Sequence, residues 1–389
     1  MFKANVGTSI LANANMAGKE AAQRAKEGLD NIKMAFVYGS CAYDIEAMVK
    51  GVSEELGGVP LIGNTSFTGV ITADGYISSA DGFVGVMAFS DEKMAVGVAA
   101  AARGSSPFED GAKLAKEAMR AAGRDEAPAY FYMAASPAEE EFYLKGISSV
   151  IGRVPFFGGS AADNSIAGEW KLYTDGACFA DGVVVAFFYD APEVTNLFTG
   201  AYHETENFGV ITKIEGNRTL VEIDGVPAVK KYMEWSGCSE EQLMGGNLLV
   251  TTITAPLGIK DRLGDVVAIR HPMNGNDDYS MAIGSNLAEK TCVIRMEATV
   301  DELINSTGDT LKALIAKMPG KPLAFHLVHC GGRRAGIGER IEEVAKQIQD
   351  VAGDIPFMVE FTFGEYGFES DNNNTCGGLM LSFTGFSEN

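Results

Sequence analysis

Three short segments, Val59-Pro60-Leu61, Val154-Pro155-Phe156 and Ile355-Pro356-Phe357, constrain this chain more than any other feature. Each heads a short apolar run, and each follows a strand-like run and a helix-like stretch. In the first copy residues 34–38 read as a buried strand. Residues 44–56 then read as a helix, with Ile45, Met48, Val49, Val52 and Leu56 at three- and four-residue spacing. Residues 129–133 and 137–151 repeat this before Pro155, and residues 323–328 and 338–351 repeat it before Pro356. Proline as first residue of a strand costs little and fixes how the chain enters a sheet. A strand-helix-strand unit of this length places its strands parallel with a right-handed crossover. The recurrence marks an internal repeat of half-domains.

Between the copies the pattern shortens. Gly69-Val70-Ile71-Thr72 and Tyr76-Ile77-Ser78 flank Asp74-Gly75, a hairpin signal, and strands around Asp-Gly turns return at residues 171–173 and 183–189. The expected fold class is α/β (mixed α+β): duplicated β-α-β half-domains with mixed sheets and helices packed on the outside. Two such sheets stacked face to face would bury both. A boundary is expected where Asp190-Ala191-Pro192 breaks a strand and the polar stretch Tyr202 to Asn207 follows. This gives a helical lead-in over 1–32, a first domain over 33–200 holding two half-repeats, and a second over 201–389.

A formal charge of -21 argues against nucleic acid or an anionic membrane as partner, since both require a basic surface. No apolar run reaches membrane-spanning length, and the first twenty residues make a poor secretory signal. The six cysteines are scattered without a CxxC pair, which fits neither a zinc site nor a disulfide framework and suggests a reduced, cytoplasmic setting. There is no GxSxG elbow, Walker A lysine, HExxH or strand-borne GxGxxG, so binding is expected and catalysis is not.

Candidate site residues cluster at strand ends. Phe157 is followed by Gly158, Gly159, Ser160, two alanines, Asp163 and Asn164: a place for close backbone approach with acceptors and donors beside it, or a tight turn with an Asx cap. Asn64 ends the corresponding run of the first copy, and Glu365 ends that of the third, where a carboxylate could hold an ammonium group. Cys330-Gly331-Gly332-Arg333-Arg334 follows the first strand of the third copy, where backbone N–H groups and a guanidinium suit a carboxylate or phosphate. Asn374 lies in the amide-rich loop Asn372-Asn373-Asn374-Thr375. Strand alternation puts His326 and Cys330 on one face and His329 on the other, against a shared metal site. Arg333 and a helix start would lower the Cys330 pKa, which leaves an uncharacterised thiol enzyme as an alternative.

The chain resembles the FIST N and FIST C domains in order. The residues that carry this are Ile62-Gly63-Asn64-Thr65-Ser66 with Gly69, Gly158 to Asp163, Val210-Ile211-Thr212 through Gly216-Asn217 and Glu222 to Ala228, Cys330-Gly331-Gly332-Arg333, and Phe363-Gly364-Glu365 followed by Asn374-Thr375. The resemblance covers residues 33 to 385 and implies a sensory module that binds a small, charged ligand such as an amino acid. It also implies a signalling partner, such as a histidine kinase or chemoreceptor, because no output segment is recognised here. One branch of the family is described as haem-binding nitric oxide sensors; for haem, His203 and His271 would be the axial ligands to consider.

Overall fold

The computed structural model describes residues 1–260, 268–368 and 374–388. The chain runs through one plan three times. The first unit comprises β1 (Lys3–Ser9), α1 (Ala14–Lys26), β2 (Ile32–Gly39), α2 (Ile45–Leu56), β3 (Leu61–Thr65), a hairpin of β4 (Val70–Thr72) and β5 (Gly75–Ile77), and β6 (Val84–Ser90). The second comprises β7 (Ala95–Ala102), α3 (Pro107–Ala121), β8 (Tyr130–Ala135), α4 (Glu140–Ile151), β9 (Phe156–Ser160), the hairpin β10 (Leu172–Thr174) and β11 (Ala177–Phe179), and β12 (Gly182–Tyr189).

The third unit opens with β13 (Glu193–Thr199) and is then interrupted by an inserted body. The insert holds β14 (His203–Glu215), β15 (Thr219–Ile223), β16 (Val226–Pro227), α5 (Ala228–Ser236), α6 (Glu240–Leu243), α7 (Asn247–Thr251), β17 (Leu257–Lys260), β18 (Ala268–Arg270), β19 (Pro272–Gly275), β20 (Met281–Ile283) and β21 (Cys292–Glu297). The unit resumes with α8 (Val300–Lys317), β22 (Pro322–Cys330), α9 (Gly331–Ile337), α10 (Ile341–Ala352), β23 (Phe357–Thr362), the hairpin β24 (Glu365–Phe368) and β25 (Asn374–Gly377), and β26 (Leu381–Ser387).

Local chemistry explains the helices. Asn13, Asp44 and Ser106 cap α1, α2 and α3 with side-chain oxygens, and Thr299 with Glu302 forms a capping box on α8. Within each of the first two units the helices touch through small residues. A Cβ on Gly18 would lie 2.3 Å from the Met48 carbonyl of α2, and one on Gly111 would lie 2.4 Å from the Tyr143 carbonyl of α4.

The three main sheets share one strand order, β1-β6-β2-β3-β10-β11, β7-β12-β8-β9-β24-β25 and β13-β26-β22-β23-β4-β5. Each is completed by a hairpin from another unit: the second unit's on β3, the third's on β9, the first's on β23. Three backbone bonds close the ring, from Phe67 N to Phe361 O, Ala162 N to Thr65 O and Phe363 N to Ser160 O. The two-sheet layering expected from the repeats therefore becomes three interlocked sheets. Their inner faces meet in a single core that includes Phe36, Tyr130, Phe157, Ala324 and Met358, and the helices lie outside.

Residues 3–26, read as a lead-in, supply an edge strand paired with β6 and a helix packed on α2. β13 pairs with β26, so residues 193–199 sit with the C-terminal unit. The insert folds around a separate sheet, and His203 at its start lies opposite Glu297 at its end.

Candidate ligand-binding site

Two buried polar groups lie where the units meet. The first is in the common core. Equivalent positions on β2, β8 and β22, fixed by the parallel registers with Ile62, Phe157 and Met358, carry Phe36, Tyr132 and His326. Equivalent positions on β3, β9 and β23 carry Asn64, Gly159 and Glu360, because Leu172, Glu365 and Val70 stand opposite them. The threefold equivalent of Asn64 is thus Glu360 and not Glu365, which lies on the hairpin strand β24. Asn64 Nδ2 donates to Glu360 Oε2 at 3.0 Å, Tyr132 Oη donates to Asn64 Oδ1 at 2.9 Å, and Tyr38 Oη meets His326 Nε2 at 2.5 Å. All five side chains are fully buried. Sequence reading found Asn64 but missed Glu360, although a carboxylate inside Phe357-Met358-Val359-Glu360-Phe361 is itself a signal that an apolar strand faces a polar neighbour.

The second group gathers three residues singled out from sequence: Cys330, Arg333 and Glu365. Cys330 ends β22 and caps α9, its Sγ accepting from Gly332 N and Leu379 N at 3.3 Å. Glu365 Oε1 accepts from Thr362 Oγ1 at 3.0 Å and Oε2 from Met380 N at 2.9 Å. Arg333 Nη2 donates to Leu303 O at 2.7 Å and to Ser306 Oγ at 2.6 Å. Arg333 and Glu365 are 0% exposed, yet Arg333 Nε and Nη1 have no partner, and neither does His329 Nε2. The group lies on the seam between the third unit and the insert, where Ile269, Ile294 and Met296 pack on Cys330, Leu379 and Met380.

Electrostatics corrects the thiolate expectation. Burial, reinforced by Glu365, pushes the Cys330 thiol far above its ordinary value; the helix start and Arg333 do not offset it. Burial also raises Glu365 to about 8, so its carboxyl is largely protonated at neutral pH. Arg333 is lowered by burial but keeps its charge.

The remaining candidates do not join this group. Gly158 adopts φ +134° against β8, and a Cβ on Gly159 would meet Thr362 Cγ2 at 2.5 Å, so both glycines serve strand packing. Ser160 Oγ bonds Tyr366 Oη at 2.7 Å. Asp163 is buried, and its carboxylate accepts from the backbone N–H of Ser165, Ala167, Gly168 and Glu169, which occupies it in holding its own loop. Asn164 ties Thr68 N to Ser40 Oγ across two strand ends of the first unit. Asn374 Nδ2 donates to Val154 O at 3.1 Å, while Asn372 and Asn373 fall outside the described residues. His326 and His329 do face opposite ways, one into the common core and one against Phe361. Among the described residues no group of His, Cys, Asp and Glu could hold a metal ion.

A FIST N domain model matches residues 33–226 and a FIST C domain model residues 228–367. The chain belongs to the FIST family. FIST domains are sensory, signal-transducing ligand-binding domains. No curated protein matches this FIST protein. Among solved structures, a cyanuric acid hydrolase from A. caulinodans is similar over 100% of this chain and 99% of its own, at 9% identity and TM-score 0.41. Phosphoribosylformylglycinamidine synthase II from Thermotoga maritima is similar over 99% of this chain and 71% of its own, at 11% identity and TM-score 0.22. At these identities the likeness carries nothing about function. No helix among the described residues is long and apolar enough to cross a membrane.

The two histidines considered for haem in this FIST protein sit in different settings. His203 is exposed and its Nε2 bonds Glu302 Oε1 at 2.7 Å. His271 is buried, with Nε2 at 3.0 Å from Leu249 O, and burial lowers its pKa to about 4. Each Nε2 is engaged by the protein.

The buried carboxyls give the FIST protein a defined pH response. Burial raises Glu360 and Glu140 to about 7 and Glu365 to about 8. Their folded pKa values exceed the unfolded ones, so the stability they confer is complete below the unfolded value and is lost as pH rises through the folded value. The buried histidines are shifted the opposite way, His326 to about 3, His271 to about 4 and His329 well below its ordinary value, and oppose this trend up to about their ordinary value of 6.5. Above that pH their contribution fades and the carboxyls dominate. Unfolding free energy should fall by about 2–3 kcal/mol between about pH 6.5 and 8. Glu365→Gln should remove about half of that slope in denaturant titrations at four pH values, and an unchanged slope would count against the assignment.

Proposed function

We propose that this FIST protein is a small-ligand sensor whose ligand carries a carboxylate, as an amino acid does, and is held at the seam by Arg333. The supporting observation is the fully buried guanidinium with two unpartnered donor nitrogens, Nε and Nη1. A buried charge left incompletely compensated costs several kcal/mol, and an anionic ligand would compensate it. Glu365, neutral when protonated and anionic when not, would take a hydroxyl or an ammonium group on the same ligand. The Cys330 thiol stays protonated, so binding is proposed and turnover is not. The signal would pass to a partner such as a histidine kinase or chemoreceptor in the cytoplasm.

A thermal-shift panel on the full chain tests this, with amino acids and short carboxylates set against amines of similar size. At a hundredfold excess over Kd a ligand adds about 2.7 kcal/mol, enough to move the melting temperature by several degrees. Carboxylates should stabilise and amines should not. A panel in which nothing shifts the midpoint would defeat the proposal.

A further inference from the structure

We infer that the inserted sheet is a hinged cover over the Arg333 site, held shut by Arg218 gripping Glu140 and Glu141 of the second unit; its regulatory meaning rests on the ligand site proposed above. The chain leaves the third unit near Gly200–Tyr202 and returns at Ala298–Thr299, and His203 stands directly opposite Glu297. Two crossings side by side form one flexible joint and leave the rest of the insert to move as a body. Beyond that joint the underside of the insert is apolar: Ile269, Ile294 and Met296 rest on Cys330, Leu379 and Met380, and Ile253 packs against Leu303 and Ile337. Such a surface can part and close again without breaking a ladder of hydrogen bonds.

The grip lies in the turn between β14 and β15. Arg218 Nη2 reaches Glu141 Oε2 at 2.7 Å and Glu140 Oε1 at 3.1 Å, and Nη1 holds the insert's own Gly284 carbonyl at 2.6 Å. Asn286 N donates to Glu141 Oε1 at 3.1 Å, a second tie between insert and second unit. The cluster is largely buried, at 18% exposure for the arginine side chain and 5% for Glu140. It is also incompletely satisfied, since Arg218 Nε and Glu140 Oε2 have no partner. A buried ion cluster with orphaned atoms holds its register while adding little net stability, which suits a catch that must release. Releasing it uncovers Cys330 and Arg333; a ligand seated on Arg333 then fixes the angle of the insert, and that angle is what a partner can read.

Alkylation of Cys330 by N-ethylmaleimide in the native full chain, followed by mass spectrometry of its peptide, reads the opening without any ligand. Arg218→Met should speed labelling of Cys330 at least tenfold, and Glu141→Gln should give a smaller gain. Labelling of Cys41 and amide-exchange protection of β2, β8 and β22 should stay as in wild type. An unchanged Cys330 rate would overturn the inference, as would a faster rate accompanied by loss of protection in those strands, which would mark global loosening. Because no ligand enters the experiment, a moving cover with no ligand response would sink only the sensor reading, and a ligand response with a fixed cover would sink only the hinge.

Discussion

Replacing Gly158 by alanine is expected to cost more than about 4 kcal/mol and to prevent accumulation of folded protein at 37 °C. The residue sits at φ +134°, a conformation that side chains with a Cβ rarely adopt. An added Cβ would also lie 1.9 Å from the Met133 carbonyl on β8, the parallel neighbour, where backbone cannot yield without breaking the pairing. The damage would spread, because β9 also receives the third unit's hairpin through Tyr366 and Glu365. Loss of the second sheet therefore unlocks the third unit. Chemical denaturation with the soluble expression level checks this; a loss below about 1 kcal/mol would mean that the strand tolerates a slip the geometry forbids.

Arg333→Met is expected to have an effect of the opposite sign on stability. A hydrophobic side chain of similar length removes a buried charge whose Nε and Nη1 are unpartnered, at the expense of the bonds to Leu303 O and Ser306 Oγ. Exchanges of buried ionic groups for apolar ones are often neutral or stabilising, so the ligand-free variant should gain about 1–2 kcal/mol. It should also lose its response to every carboxylate in the thermal-shift panel. A residue kept only for stability would behave otherwise: the variant would melt earlier, and any ligand effect would survive.

The β-α-β units were legible because proline at a strand head and a glycine-bounded helix are local signals, and Pro60, Pro155 and Pro356 all stand just ahead of their strands. The ring was not legible. Whether Leu172 pairs with Asn64 or with its own unit is decided by contacts more than a hundred residues apart, and the hairpin sequence is the same either way. The same limit misplaced Glu365 as the equivalent of Asn64, since counting along the chain cannot separate the end of β23 from the start of the hairpin. Cys330, Arg333 and Glu365 were found individually because each is a chemically distinctive group at a strand end, and their convergence came only with the fold. Asp163, one of the strand-end candidates, is taken up by its own loop. Its four backbone donors lie within the next six residues, as the Asx-cap alternative for this stretch expects. Arg218 went unnoticed because a hairpin turn of Glu, Gly, Asn and Arg looks like solvent-facing chain until the second unit is placed beside it.

In the proposed sensor a ligand carboxylate completes the hydrogen bonding of Arg333. Selective ¹⁵N-arginine labelling of the full chain allows the Nε–H signal of Arg333, assigned through its loss in Arg333→Met, to be followed as a stabilising carboxylate is added. The expected result is a protected Nε–H signal in the ligand-free protein that moves to a new, hydrogen-bonded position at saturation, with the other arginine Nε–H signals shifting less. A ligand that raises the melting temperature while the Arg333 signal stays where it was would contradict it.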